Sequence, residues 1–139
     1  MTYASAQGHV LLDRELSLPQ EWTNDTERCA RAGIPPERTF ATTPQLARQM
    51  LERAFDARVP ATWVAGESVY GDHRPLRDWL EARAHAYVLA VSGKADVWRA
   101  GRQWQVKTLL AMLEEEDWCR LRAGDGTKGP RWYEWGWLP

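Results

Sequence analysis

Residues 43 to 91 alternate between helical and strand patterns, and this alternation constrains the fold more than any other feature of the chain. Apolar residues recur at helical spacing after a capping threonine, either Thr42 or Thr43. A strand over Thr62 to Ala65, a second helix and the apolar run Tyr87 to Val91 follow. This series predicts an α/β unit with two parallel strands. The unbroken apolar run predicts a strand covered on both faces.

The amino-terminal segments carry weaker patterns. Residues 1–18 predict a hairpin whose second strand runs from His9 to Leu18, interrupted by charges. We interpret Asp13 and Glu15 as solvated side chains on a sheet edge. Residues 19–42 are rich in Pro, Gly and Asn and predict an irregular connection with one short helical turn.

Three further elements complete the predicted structure. Asp72 is interpreted as the N-cap of the second helix. A short helix is expected over Thr108 to Glu115, closed by a run of acids that oppose the helix dipole. Strands over Cys119 to Arg122 and Arg131 to Leu138 then predict a carboxyl-terminal hairpin.

Composition limits the classes of function. The net charge is −1, so only local patches would attract nucleic acid or acidic lipid. The two cysteines, Cys29 and Cys119, lack metal-ligand spacing and are expected to be reduced packing residues. Without a signal peptide or a membrane-spanning stretch, we expect a cytoplasmic protein.

Tryptophan is unusually frequent. The chain has nine, and six lie in the last third of the sequence. They predict either a heavy aromatic core, which we favour, or a surface on which bases stack.

The most informative short motif follows the strand that begins near Thr62. The strand stops at Gly66, Glu67 comes next, and Tyr70-Gly71 closes a short turn into a helix. A metal-binding carboxylate at the carboxyl end of a strand uses this arrangement, since the strand fixes the acid and the glycine lets a substrate backbone come close. The alternative is an ordinary acid in a strand-to-helix loop.

Several separated motifs occur together in a fixed order. They are Tyr3-Ala4-Ser5, Asp13-Arg14-Glu15-Leu16-x-Leu18-Pro19-x-x-Trp22, Phe40-Ala41-Thr42-x-Pro44-x-Leu46-Ala47, Trp63-Val64-x-Gly66-Glu67-x-x-Tyr70-Gly71, Tyr87-Val88-Leu89-Ala90-Val91 and Gly126-x-Lys128-Gly129-Pro130-Arg131-x-Tyr133-x-Trp135. From about Thr2 to Leu138, the chain resembles the catalytic core of bacterial insertion-sequence transposases of the DDE superfamily.

This resemblance implies the fold class. It implies an α/β protein with a partial RNase H-like mixed sheet flanked by helices in residues 1–93. Residues 94–139 would be the start of a β-rich insertion region, a Trp-rich hairpin packed on that core. The central first strand of the sheet would lie upstream of Thr2, which leaves two strand edges unpaired. We therefore expect Thr2–Ser5 to pair with Thr62–Ala65, or the protein to be marginally stable and to associate through an edge.

The resemblance also implies metal-dependent DNA cleavage and strand transfer. Three acids in such enzymes hold two ions, Mg²⁺ or Mn²⁺, and Glu67 stands at the second position, where the family normally has Asp. Gly66, Tyr70 and Gly71 match the residues around that acid. The first and third acids would fall outside residues 1–139. We therefore expect no bound ion and no catalysis from this chain alone.

The expected partner is transposon-end DNA. The candidate contacts are Lys128, Arg131, Trp132 and Trp135, in a segment with four basic residues against two acids. An aromatic hairpin with exposed charges is the alternative.

Three interpretations remain open at this stage. The first is an inactive transposase fragment. The second is a binding module that pairs with DNA, with itself or with full-length transposase, without a membrane partner. The third is a chain completed by frameshifting into a neighbouring reading frame.

Overall fold

The computed structural model describes residues 1–126 and 129–137. The chain is a mixed α/β protein that divides into two compact units, residues 1–91 and residues 92–139. Its described strands form four separate two-stranded sheets and not one mixed sheet. Of the two alternatives expected for the strand edges, pairing of Thr2–Ser5 with Thr62–Ala65 does not occur. The first unit holds Glu67, and the second holds the tryptophan-rich segment.

The first unit contains two sheets and five helices. In chain order its elements are β1 (Thr2–Ser5), β2 (Gly8–Leu11), α1 (Gln20–Thr23), α2 (Thr26–Arg31), α3 (Thr43–Asp56), β3 (Trp63–Gly66), α4 (Ser68–Gly71), α5 (Arg74–Glu81) and β4 (Ala86–Leu89).

The amino-terminal hairpin is confirmed, but its second strand is shorter than predicted. β1 and β2 pair antiparallel from Thr2 opposite Leu11 to Ser5 opposite Gly8. The strand does not continue to Leu18. The chain instead turns away after Leu12, and its next acids bind arginines of other segments, as described below.

Helix α3 begins as its sequence predicts. Thr42 is the N-cap, and Pro44 lies in the first turn, where its missing N–H costs no hydrogen bond. The Gln45 side chain accepts from the Thr42 backbone N–H at 2.7 Å and from its hydroxyl at 3.0 Å. These contacts fix the start of the helix, whose inner face carries buried Leu46.

The cap of α5 differs from the prediction. Asp72 ends α4, and His73 is the N-cap of α5, with its Nδ1 accepting from the Leu76 backbone N–H at 3.2 Å. The prediction for Asp72 was therefore wrong. An imidazole nitrogen can accept this hydrogen bond as a carboxylate does, but histidine is not among the preferred capping residues.

The two central strands are parallel, as predicted. β3 and β4 run in register from Trp63 opposite Ala86 to Gly66 opposite Leu89. The prediction that both faces are covered was wrong, because Trp63 is 61% and Val88 64% exposed on the outer face. The inner face packs on the helices.

Helix α5 supplies the centre of the core. Leu76, Trp79 and Leu80 are buried together, and Leu80 is fully enclosed. Partly buried apolar residues pack around them: Leu51, Phe55, Val64, Tyr70, Tyr87 and Leu89. The core therefore joins α3, α5 and the inner face of the β3–β4 pair.

The second unit contains two hairpins and little helix. Its elements are β5 (Asp96–Arg99), β6 (Arg102–Gln105), α6 (Val106–Leu110), a 3₁₀ helix (Glu115–Asp117), β7 (Trp118–Gly126) and β8 (Gly129–Gly136). The β5–β6 hairpin, which the sequence pattern did not predict, turns at Ala100 and Gly101, both with positive φ.

The helix predicted over Thr108 to Glu115 was wrong in its position and extent. α6 ends at Leu110, and a 3₁₀ helix begins after Glu114. The Asp117 carboxylate accepts from the Glu114 backbone N–H at 2.9 Å. The acids thus stand at the start of a new turn, where the helix dipole favours negative charge.

Four of the six tryptophans of the second unit lie outside any aromatic core, which was the interpretation that we favoured from the sequence, while Trp104 and Trp118 are half-buried. Trp98, Trp132, Trp135 and Trp137 are all more than half exposed. Their strands belong to two-stranded sheets, and the described part of this unit provides too few buried side chains to enclose four indole rings.

Candidate functional site

Glu67 lies at the first residue after β3. Its extended backbone continues the strand, while its carbonyl accepts from the N–H groups of Tyr70 and Gly71 at 3.0 and 3.1 Å. These bonds start α4 directly after the acid. Glu67 is the N-cap of α4, but its side chain makes no hydrogen bond to the helix and is exposed. The carboxylate is therefore held at the end of a strand and faces solvent.

The two motif glycines have packing roles. A β-carbon on Gly66 would lie 3.0 Å from side-chain carbons of both Leu89 and Tyr70. A β-carbon on Gly71 would lie 1.8 Å from the Ala90 carbonyl oxygen. The close approach in this motif is therefore between α4 and the end of β4.

Tyr70 anchors the turn to the core. Its ring packs against the buried cluster of α5 and touches the position above Gly66. The Gly71 carbonyl accepts from the Arg77 guanidinium, which ties α4 to α5. The positions of Gly66, Tyr70 and Gly71 together explain why Glu67 has a defined backbone location.

Two acids that precede α3, Asp13 and Glu15, are bound by arginine side chains. Glu15 accepts from Arg38 at 2.6 Å and from Arg53 at 2.7 Å, and Asp13 accepts from Arg53 at 2.8 Å. The Glu15 side chain is only 8% exposed. Our interpretation of these acids as solvated edge charges was therefore wrong, since they join three distant segments in one ionic network.

The arginines change the proton affinity of both acids. The hydrogen bond from Arg53 lowers the pKa of Asp13 below its usual value. The hydrogen bond from Arg38, with a second from Arg53, lowers the pKa of Glu15. Both carboxylates stay charged at neutral pH, and their oxygens are already engaged by guanidinium groups.

The described residues do not fit a two-ion centre. Within residues 1–126 and 129–137, no three His, Cys, Asp or Glu side chains converge so that they could hold a metal ion. Glu67 is the candidate ligand that the sequence offers, and one exposed carboxylate does not provide the near-octahedral oxygen shell that Mg²⁺ requires.

The candidate DNA contacts that the structure describes, Arg131, Trp132 and Trp135, lie on β8 of the β7–β8 hairpin. Arg122 pairs with Trp132, Arg120 with Glu134, and Cys119 with Trp135. Because side chains alternate along a strand, Trp132 and Trp135 project from opposite faces. A single unpaired base cannot stack on both rings, so the site predicted from the sequence divides into two faces.

One face combines positive charge with an aromatic ring. We call this the basic face, after Arg120 and Arg122 beside Trp132; Glu134, opposite Arg120, is the acid on it. The Arg120 guanidinium lies 5.5 Å from the centre of the Trp132 ring, and Arg122 forms an ion pair with Asp125 at 2.5 Å. From the sequence both arginines contributed only to the local charge, and the register of β7 on β8 is what places them beside Trp132.

The opposite face is mainly apolar. Leu121, Tyr133 and Trp135 share it, and each is about half exposed. Strand alternation also assigns Arg131 to this face, and its guanidinium donates to the Asp125 carbonyl at 3.4 Å. Lys128 lies outside the described residues.

Comparison with known proteins identifies the family. A family model described as DDE superfamily endonuclease matches residues 1–108. The chain belongs to this family. The resemblance drawn from the separated motifs is thereby confirmed at the level of the superfamily. No curated protein and no solved structure matches the chain.

The DDE superfamily match includes the whole first unit and Glu67, and it ends before β7 begins at Trp118. Endonucleases of this superfamily act on DNA and generally depend on divalent metal ions. No helix in the described ranges is long and apolar enough to cross a membrane.

Proposed function

We propose that this chain carries one acidic position of an insertion-sequence transposase that cleaves DNA and transfers its strands. The observation that carries the proposal is the placement of Glu67. In a domain of the DDE superfamily, it is the exposed acid directly after a parallel strand, at the start of α4. Such a position presents a carboxylate from a rigid element, as a metal-dependent nuclease site requires.

We further propose an RNase H-like arrangement for the first unit. The parallel β3–β4 pair and the packing of α3 and α5 on one of its faces support it. Mg²⁺ or Mn²⁺ would be the ions of the complete site, because hard cations prefer carboxylate oxygens.

The 139-residue chain on its own is proposed to be inactive as a nuclease. Asp13 and Glu15, the acids of the neighbouring amino-terminal segment, are bound by Arg53 and Arg38. Releasing either acid toward Glu67 would break charge-assisted hydrogen bonds. A two-ion reaction needs several carboxylates at one place, and Glu67 supplies one.

Nicking of supercoiled plasmid DNA in Mn²⁺ tests the inactivity directly. The purified chain is expected to leave the plasmid intact, and so is the Glu67→Gln variant. Glu21→Gln serves as the matched control, since Glu21 is an exposed glutamate at the start of α1. Nicking that disappears in Glu67→Gln but persists in Glu21→Gln would overturn the proposal.

The assigned position of Glu67 has its own test, which does not depend on activity. Mn²⁺ added to the labelled protein broadens amide signals near any carboxylate that binds it. We expect weak broadening of residues 66–71 that is lost in Glu67→Gln, beside broadening at the exposed acids Glu114 to Asp117 that this substitution leaves unchanged. Signals of residues 66–71 that stay sharp, or that broaden equally in Glu67→Gln, would contradict the assignment of residue 67.

A second candidate function is DNA binding without cleavage. The basic face favours it, because two arginines and an exposed indole share one side of the β7–β8 hairpin. Arginines contact phosphates, and an indole stacks on an unpaired base whatever its identity. Binding to DNA would also suit a module that regulates full-length transposase, the partner that we proposed from the resemblance.

Retention of labelled single-stranded and duplex DNA at increasing salt tests this alternative. Arg120→Ala and Trp132→Ala are expected to weaken retention, and Arg120→Ala should lower the salt slope by about one unit per lost phosphate contact. Trp135→Ala is the matched control from the opposite face. Equal losses for Trp132→Ala and Trp135→Ala would exclude the basic face as the binding surface.

A further inference from the structure

Helix α5 begins at a histidine, and this cap differs in kind from the one at the start of α3. The Nδ1 atom of His73 accepts from the Leu76 backbone N–H at 3.2 Å, and the side chain is half-buried. The side-chain hydrogen bonds at the start of α3 are made by Thr42 and Gln45, neither of which titrates. The start of α5 therefore depends on a group that can take up a proton.

The hydrogen bond to Leu76 defines the proton state of the histidine ring. An imidazole nitrogen accepts a hydrogen bond only when it carries no proton, so His73 in this cap is neutral with its proton on Nε2. In an imidazolium both nitrogens are donors, and the Nδ1–H would face the Leu76 N–H across the same short distance. Two donors cannot share that contact. Uptake of a proton therefore turns the ring out of the cap.

The first turn of α5 is also unfavourable for a second positive charge. It contains Arg74 and no acid, and the positive end of the helix dipole lies there. The Leu76 N–H keeps its other acceptor, the His73 carbonyl at 3.0 Å, when the ring leaves. Trp79 and Leu80 stay buried further along the helix. Loss of the ring therefore loosens the first turn and leaves the rest of α5 in place.

The acid next to the cap along the chain is Asp72. Its attraction is available to a protonated ring outside the cap, where the ring meets no backbone N–H. Arg74 pairs with Asp78 at 3.5 Å, and Arg48 pairs with Glu52 at 3.5 Å. The charged and titratable side chains of α5 and of the elements packed against it are Glu67, Tyr70 and Asp72 at α4, Arg74, Arg77, Asp78 and Glu81 on α5, Arg48, Glu52, Arg53 and Asp56 on α3, and Tyr87 on β4.

Backbone hydrogen bonds join the cap to the turn that carries Glu67. The His73 N–H donates to the Tyr70 carbonyl at 3.2 Å. The Glu67 carbonyl accepts from the N–H groups of Tyr70 and Gly71. The Gly71 carbonyl in turn accepts from the Arg77 guanidinium of α5. A movement at residue 73 therefore reaches residue 67 through adjacent hydrogen bonds.

We propose that His73 is a pH-sensitive switch at the joint between α4 and α5. When the ring is neutral, it caps α5 and fixes the backbone at Glu67. Protonation turns the ring out, and the first turn of α5 and the turn of α4 open together. Histidine is the side chain whose charge ordinarily changes between about pH 5 and 8, so the switch operates near neutral pH. It requires neither catalysis nor DNA binding by the chain.

The imidazole nitrogens of the full chain report the capped state directly. Two-bond ¹⁵N–¹H NMR spectra distinguish the two neutral tautomers of a histidine ring. At about pH 7.5 we expect His73 to carry its proton on Nε2, because Nδ1 accepts from Leu76. A proton on Nδ1 at this pH would overturn the proposal.

Amide hydrogen exchange measures the opening when each rate is expressed as protection relative to the intrinsic exchange rate at that pH. Between about pH 7.5 and pH 5.5, protection at Leu76, Tyr70 and Gly71 should fall roughly fivefold, the effect of a typical helix cap. Leu46, whose N–H donates to the Thr42 carbonyl at the start of α3, is the internal control and should not change. Constant protection at Leu76, or an equal fall at Leu46, would overturn the proposal. A fall at Leu76 alone would contradict the link to α4.

His73→Asn is the matching change in the protein. Asparagine is a strong N-cap, and its side-chain oxygen accepts the same N–H across this pH range. Protection at Leu76 should not depend on pH in His73→Asn, and it should already be low at about pH 7.5 in His73→Ala. His9→Gln, at an exposed position of β2, is the control and should keep the response of the parent protein. A fall in protection that persists in His73→Asn would overturn the proposal.

Discussion

A β-carbon on Gly71 would stand 1.8 Å from the carbonyl oxygen of Ala90. Such contact is impossible without movement of the backbone, so Gly71 determines how closely α4 approaches the end of β4. The start of α4 is also where Glu67 lies. Gly71 therefore helps to fix the position of Glu67, because it lets α4 pack closely against the end of β4.

Gly71→Ala is expected to destabilise the first unit strongly, by about 3 kcal/mol, because the clash is with backbone atoms. Gly66→Ala should cost less, since its nearest neighbours are side-chain carbons of Leu89 and Tyr70 that can rotate. The free energy of unfolding in urea measures both. Gly93→Ala is the control, with its nearest atom at 3.4 Å. Equal effects for Gly71→Ala and Gly93→Ala would contradict the packing argument.

Glu15→Gln is expected to lower the free energy of unfolding by about 1 to 3 kcal/mol. The substitution keeps the shape of the side chain but removes the charge that binds Arg38 and Arg53. Glu27→Gln is the control, because its pair with Arg31 is long, at 3.8 Å, and exposed. That variant should change stability by less than about 0.5 kcal/mol. An unchanged free energy of unfolding in Glu15→Gln would show that the ionic network does not measurably stabilise the fold.

Stability should fall in acid through the same network. The hydrogen bonds from Arg53 to Asp13 and from Arg38 to Glu15 lower the pKa of each acid below its usual value, 3.8 and 4.5 respectively. The unfolded chain therefore binds protons first as the pH falls. The stabilisation that the two ionised carboxylates provide is complete when the pH is above their usual pKa values. It is lost as the pH falls through their lowered pKa values.

Urea unfolding between pH 7 and pH 3 measures this loss. The parent protein should begin to lose stability below about pH 5. The double variant Asp13→Asn/Glu15→Gln starts less stable and should show a shallower decline over the same range. Parallel pH curves for the two proteins would mean that other acids cause the acid sensitivity.

Leu80→Ala should cost about 2–5 kcal/mol, because Leu80 is fully buried at the centre of the α5 cluster. The cavity would open between α5 and the inner face of β3 and β4. Leu11→Ala, at an exposed position of β2, is the matched control and should be nearly neutral. Calorimetric or urea unfolding distinguishes them. Similar losses of unfolding free energy in Leu80→Ala and Leu11→Ala would show that Leu80 is not at the centre of the core.

The central α/β segment was predictable because its signals are local. Thr42, Pro44 and Leu46 mark the start of α3 through a cap, a first-turn proline and an apolar spacing. Two strand patterns joined through a helix then require a parallel pair. The acid after β3 was also found from the sequence, since a strand, a glycine and a turn follow one another along the chain.

The candidate site beyond Glu67 was less predictable, since it depends on contacts between distant residues. The ionic network joins Glu15 to Arg38 and Arg53, 23 and 38 positions away. No local pattern indicates such partners. The division of Trp132 and Trp135 between two faces was within reach of the sequence, because alternation along β8 requires it, but the strand register was needed to place Arg120 beside Trp132.

The family, the parallel β3–β4 unit and the acid at residue 67 could all be inferred from the amino-acid sequence. These follow from the order of motifs and from hydrogen bonds between residues close in the chain. Contacts across the fold were needed to show that His73 caps α5, that Arg38 and Arg53 bind Glu15, and that β1 and β3 do not pair. Each of these depends on which distant groups meet, and burial and ion pairing act through space and not along the chain.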